Sequence, residues 1–110
     1  MLTSSAKAKG RRCAQRVRDI LIEELSLSED SIFVTASGTN GPDLTLTGQA
    51  RSAFPFAIEC KNQERLNIWG SIEQAERNAK DLTPMVIFTR NRSKIYAVIE
   101  LKALLTEGRF

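Results

Sequence analysis

The chain of 110 residues has no histidine, only two cysteines and three prolines, and no long apolar run. Without histidine the commonest general acid–base group is missing. Any catalysis must then rest on carboxylates, lysine, hydroxyls, cysteine or a metal. The same absence, with only Cys13 and Cys60 as soft ligands, argues against a zinc site. Two cysteines make no disulfide framework and fit a reducing cytoplasm. No apolar stretch approaches the ~20 residues that a membrane span requires. The N-terminus carries no apolar core of a secretory leader. A cytoplasmic protein without membrane association is therefore expected, in a bacterial host cell if the chain is phage-encoded.

What is present is ordinary for a globular protein: 42% hydrophobic and 26% charged residues, enough for one core without staples. One domain spanning 1–110 is expected. Charge is uneven. The net charge is +3, yet residues 1–18 hold Lys7, Lys9, Arg11, Arg12, Arg16 and Arg18 with no acid. A basic N-terminal segment over 1–12, open to being flexible, is thus expected. It reads either as a footprint for polyanions or as a solvated terminus.

Periodicity places a first helix over 6–25, with Ala14, Val17, Leu21 and Leu25 as its inward stripe and Ile20 beside them. SIFVTA (31–36) and DLTLT (43–47) read as strands around the turn SGTNGP. GQARSAFP follows as a loop or short helical turn, and FPFAIECK (54–61) as a third strand. A second helix over 64–80 would bury Trp69, Ile72, Ala75 and Ala79. PMVIFTR (84–90) and KIYAVIE (94–100) read as a buried strand and its antiparallel neighbour, and 100–105 as a closing helix. The order α-β-β-β-α-β-β-α predicts an α/β domain with a central mixed five-stranded sheet flanked by helices.

The chemistry lies in the third strand. Phe56, Ile58 and Cys60 line one face, and Ala57, Glu59 and Lys61 the other. The strand is too apolar to be a wet edge, and buried charge is costly unless it is paired or bound to a metal. Asp43 opens the neighbouring strand directly after Gly41-Pro42. Two converging carboxylates repel unless a proton or cation sits between them. Oxygen ligands favour a hard cation such as Mg2+, with Mn2+ as a substitute. Asp43, Glu59 and the backbone carbonyl of Cys60 are the candidate ligands. Lys61 would handle a water and stabilise developing charge. Together these suit phosphodiester hydrolysis.

Pro42-Asp43 followed by Glu59-Cys60-Lys61 resembles the PD-(D/E)xK nuclease superfamily. The element order is similar to its restriction-endonuclease-like core, and Gln74-Ala75 stands where many members carry a glutamine element. Lys9-Gly10-Arg11-Arg12 ahead of a helix resembles archaeal-type Holliday junction resolvases. The stretches IECKNQERLNIW (58–69) and RNRSK (90–94) look like those of small phage-encoded endonucleases. The resemblance implies a Mg2+-dependent, structure-selective endonuclease acting on branched DNA such as four-way junctions. It implies a catalytic set of Asp43, Glu59, Lys61 and Gln74. It also implies a homodimer, for which Phe33, Trp69 and Phe110 are possible apolar contacts. Many such resolvases carry an acid in the first helix as a further ligand. The nearest residue here is Gln15, with Glu23 a poorer candidate, so a second metal is in doubt.

Candidate DNA contacts are Lys7, Lys9, Arg11, Arg12 and Arg16 on the first helix, Thr35 and Ser37 before Asp43, and Asn62 beside Lys61. Arg90, Arg92 and Lys94 at the last strand turn complete the set. Rival readings are a nicking or flap endonuclease of the same fold and a non-catalytic DNA-binding module.

Overall fold

The computed structural model describes residues 4–108. Phe110 lies outside the described residues. Helix α1 (Ser4–Leu25) leads through a 3-10 turn (Glu29–Ser31) into β1 (Ile32–Val34). Then come β2 (Leu44–Leu46), α2 (Gly48–Ala53), β3 (Phe56–Asn62), α3 (Ile68–Ala79), β4 (Thr83–Thr89), β5 (Tyr96–Val98) and α4 (Leu101–Glu107). The α/β architecture is the expected restriction-endonuclease-like one.

The five expected strands form two sheets rather than one continuous sheet. β1 and β2 are an antiparallel pair, and β3, β4 and β5 form a mixed sheet in that order. β3 and β4 run parallel, with Glu59 opposite Val86 and Lys61 opposite Phe88. β4 and β5 run antiparallel, with Phe88 opposite Tyr96. The split follows from the shortness of β1 and β2, three residues each. Their pairing ends where the 35–43 loop begins. Only Asp43 carries the hydrogen-bonding on toward β3: its N–H donates to the Ile58 carbonyl at 2.8 Å.

α1 covers one face of β3 and α3 the other. Cys13, Ala14 and Val17 on α1 are buried with Ile32, Leu44, Ile58 and Cys60. Arg18 bolts α1 to the first strand, donating from Nε to the Ile32 carbonyl at 2.8 Å and from Nη2 to the Glu29 carbonyl at 2.9 Å. This member of the basic cluster is a structural tie. Leu25 and Ile20 are exposed, so the inward stripe of α1 stops short of its last turn.

The stripe on α3 also differs from expectation. Ser71, Ala75 and Ala79 are its buried residues, while Trp69 is 75% exposed. Ala75 and Ala79 are as expected and Ile72 is half-buried, so the departure is confined to the first turn, where it has a cause. Asn67 caps the helix by accepting from Gly70 N–H at 3.0 Å, and its carbonyl accepts the Ser71 hydroxyl at 2.8 Å. That bond satisfies a serine in the core and turns Trp69 outward. Gly70 serves the cap as well: a Cβ there would meet the Asn67 side chain at 2.7 Å.

Candidate active site

Three hydrogen bonds hold Asp43. Besides its N–H bond to Ile58, its carbonyl accepts from Thr35 N–H at 2.9 Å, and its Oδ2 accepts from Cys60 N–H at 2.7 Å. Ile58 and Cys60 therefore turn their backbone polar groups toward Asp43. In a strand a residue's N–H and C=O point to the same side, so the Cys60 carbonyl lies on this edge too. Gly41, at φ +124°, supplies the left-handed backbone that brings Pro42 and Asp43 to β3.

Glu59 sits between those two residues and points to the α3 face. It is 2% exposed, and its Oε1 accepts from Asn78 Nδ2 at 2.8 Å. Burial pushes its carboxyl up to about 7. The Asn78 bond and the Lys61 charge pull the other way, and the nearby Asp43 carboxylate adds to the rise. Lys61, next on the same face, donates from Nζ to Gln74 Oε1 at 2.6 Å. Gln74 and Asn78 are one helical turn apart, so one face of α3 holds both charged residues of β3. The Cys60 thiol lies on the opposite face. Contact with the Cys13 thiol and burial push it up, which makes it a core group and not a nucleophile.

These residues open onto a cavity of about 340 Å3. Glu59, Cys60, Lys61, Asp43 and Gln74 form one side. α1 forms another, with small residues Ala6, Gly10 and Ala14 spaced four apart and the cations Lys7 and Arg11 beside them. The loop before Asp43 contributes Thr35 and Ser37, and the Ser37 hydroxyl accepts from Arg11 Nη1 at 3.4 Å. Two carboxylates thus lie inside a cavity rimmed by two cations.

Among the described residues no group of three or more His, Cys, Asp or Glu side chains could hold a metal. The donors on hand are two carboxylates and the Cys60 carbonyl. That set fits a hard divalent cation that keeps several waters. The raised Glu59 carboxyl points the same way, because a cation between the carboxylates relieves the repulsion that a proton otherwise relieves.

The fold and this cavity define a class: a restriction-endonuclease-like domain with the aspartate, glutamate and lysine of a PD-(D/E)xK nuclease. The family model described as "Phage putative PDDEXK endonuclease" matches residues 5–108, and the chain belongs to that family. Comparison with curated proteins and with solved structures gives no match.

The structure brings together Asp43, Glu59, Lys61 and Gln74, with Lys7, Arg11, Thr35 and Ser37 around them. Gln15 is not part of this set. It is exposed on α1 and donates to Asp19 Oδ1 at 3.1 Å, an i, i+4 pair that holds it on the outer face. Gly10 and Ala14 occupy the helix positions that face the cavity. Glu23 lies two turns beyond Gln15, exposed. Arg12 and Arg16 are exposed and Lys9 is half-buried, all outside the cavity lining. Asn62 falls on the strand face opposite Lys61, and its Oδ1 is buried without a hydrogen-bond partner among the described residues. Arg90, Arg92 and Lys94 are exposed at the β4–β5 turn, away from the carboxylates.

Asn78 is the site residue that sequence reasoning missed. Its signal was its place one turn after Gln74. Because its bond holds the Glu59 carboxyl down, Asn78→Ala should raise that carboxyl's titration midpoint further above about 7 in metal-free protein. Carboxyl NMR titration checks this. A midpoint that stayed or fell would mean the bond does not act on the charged form.

Proposed function

We propose that this chain is a Mg2+-dependent, structure-selective DNA endonuclease that cuts branched DNA, four-way junctions above all. The observation that carries the reading is the convergence of Asp43, Glu59, Lys61 and Gln74 on one cavity flanked by Lys7 and Arg11. The two cations at the rim suit a phosphate, and the two carboxylates inside, Glu59 buried and Asp43 half-buried, suit a metal and not a second anion.

Asp43, Glu59 and the Cys60 carbonyl would hold the cation, which supplies Lewis acidity toward the phosphodiester and its attacking water. Lys61, steered by Gln74, presents its ammonium to a non-bridging phosphate oxygen or to that water. The Gln74 carbonyl can accept a hydrogen bond from a water and so orient its attack. Asn78 keeps the Glu59 carboxylate in register. In the net reaction the water oxygen forms a new P–O bond, one ester P–O bond breaks, and the leaving oxygen takes up a proton. Lys7 and Arg11 hold phosphates without reading sequence. Mn2+ would substitute for Mg2+.

Paired cuts across a junction need two such cavities, which a two-fold homodimer supplies most simply. Exposed Phe33 and Trp69 are available for that contact. The setting would be the cytoplasm of a bacterial host; among the described residues no helix is long and apolar enough to cross a membrane.

The test compares a labelled four-way junction with its linear duplex, in Mg2+ and in EDTA. Asp43→Asn is the control, since it keeps an oxygen to accept the Cys60 N–H. Paired cuts in the junction alone, lost in EDTA and in the variant, are expected. Cutting of both substrates would remove the structure selectivity. Nicking or flap removal would move the role to general phage DNA processing. Tight junction binding without cutting would leave a non-catalytic DNA-binding module.

A further inference from the structure

We infer that a second cavity, at the C-terminal ends of β3 and β4, holds an unpaired nucleobase of the DNA strand that the first cavity cuts. The inference rests on the nuclease reading and adds a substrate feature to it. The cavity is about 320 Å3, within the range of small-ligand sites. Its members include Gln63, Glu64, Phe88, Arg90, Ser93 and Tyr96.

Its chemistry matches a base. Phe88 and Tyr96 are stacked, with ring centroids 5.9 Å apart and planes 30° from parallel. Tyr96 is 52% exposed, so a π-face is open to a stacking partner. Around the aromatics stand an amide, a carboxylate and a hydroxyl, the mixed donors and acceptors that a base edge requires. Arg90 is exposed at the rim, with Arg92 and Lys94 exposed on the same turn, suited to the phosphates on either side.

The walls are fixed in advance. Glu64 Oε2 accepts from Asn91 N–H at 3.1 Å, and Gln63 N–H donates to the Thr89 carbonyl at 3.2 Å. The Thr89 hydroxyl donates to the Lys94 carbonyl at 3.0 Å. The 63–66 loop and the β4–β5 turn are thereby held against each other.

Its placement links it to the first cavity. Lys61 lies opposite Phe88, and Phe88 opposite Tyr96. Residues directly opposite share a sheet face, so the three form one row across the sheet. Two strand spacings put Tyr96 roughly 10 Å from Lys61. One DNA strand can therefore reach both cavities, since duplex rise is about 3.4 Å per nucleotide and an extended single strand spans more. A base so held must leave its pair, which costs least where stacking is already interrupted, as at a branch point, and most within a continuous duplex. This gives structure selectivity a physical source within one chain.

The test uses full-length protein with divalent metal chelated, so that DNA stays intact. 2-Aminopurine is placed in turn at each unpaired or branch-point position near the cleavage site. Fluorescence should be quenched at one position and not in paired duplex. Tyr96→Leu, which keeps apolar bulk, should abolish that quench and weaken binding about five- to hundredfold. Tyr96→Phe should retain both, and thermal melts would establish that both variants fold. Unchanged quench and affinity in Tyr96→Leu, with wild type binding and cutting, would overturn this inference alone. Wild type that neither binds nor cuts DNA would overturn it together with the nuclease reading. If Tyr96→Leu instead split a dimer in sedimentation and left the quench intact, the cavity would be a contact between copies, and the inference would fall.

Discussion

Glu59→Gln should lower Mg2+-dependent cleavage about a thousandfold or more while junction affinity stays within about threefold. The substitution keeps the side chain's shape and an oxygen for Asn78 to donate to. It removes the charge that, with Asp43, would hold the cation. On the proposed reading phosphate binding would rest on Lys7 and Arg11, which line the cavity and are left untouched. Single-turnover cleavage beside equilibrium binding separates the two effects. Cutting retained at wild-type rate would exclude Glu59 from the chemistry. A parallel collapse of binding would mean that the carboxylate shapes the DNA site itself.

The second expectation concerns the same side chain in metal-free protein. The Glu59 carboxyl moves from an ordinary 4.5 to about 7 on folding, because burial disfavours its charge and Asp43 repels it. Between those pH values the folded chain keeps a proton that the unfolded chain has released. The folded state then binds more protons, so stability falls as pH rises through this window. The loss should reach on the order of 3 kcal/mol above pH 7. Glu59→Gln has no proton to lose and should be the more stable protein at pH 8 by a similar margin. Urea melts in EDTA at pH 5 and pH 8 measure both. Identical pH dependence in the two proteins would show that Glu59 ionises freely. A saturating divalent cation should restore the wild type at pH 8.

The residues with the strongest chemistry were the ones most legible in the sequence. The period-two alternation of 56–61 puts Glu59 and Lys61 on one face; the pair is common on half-exposed strands, and it stood out here only with the apolar flanks and Asp43 beside it. Asp43 stands out because Gly41 and Pro42 impose a sharp approach to it. On the second helix Ala75 and Ala79 are buried as read and Ile72 is half-buried, but the N-terminal end of the stripe was misplaced: Ser71 is buried and Trp69 is not. Trp69 dominated the pattern by size, while buried Ser71 looked polar and its bond to the Asn67 carbonyl cannot be seen in the sequence. Asn78 was missed because its partner, Glu59, lies on β3 and the contact is tertiary. The split of the strands into two sheets was also illegible, because strand length depends on where pairing partners end. Charge counting alone could not tell Arg18, spent on holding α1 to β1, from Lys7 and Arg11 at the cavity.

Asp43 is also the seam where the two-stranded sheet meets β3. The donors for a cation therefore come from two separately paired parts of the chain. A partly folded chain with only the β3–β4–β5 sheet in place holds Glu59 and Lys61 but has no partner carboxylate beside them. On the proposed reading, competence to cut would require these two parts to be docked. A copy with the two parts undocked would lack the second carboxylate, and divalent-cation affinity would then double as a readout of docking.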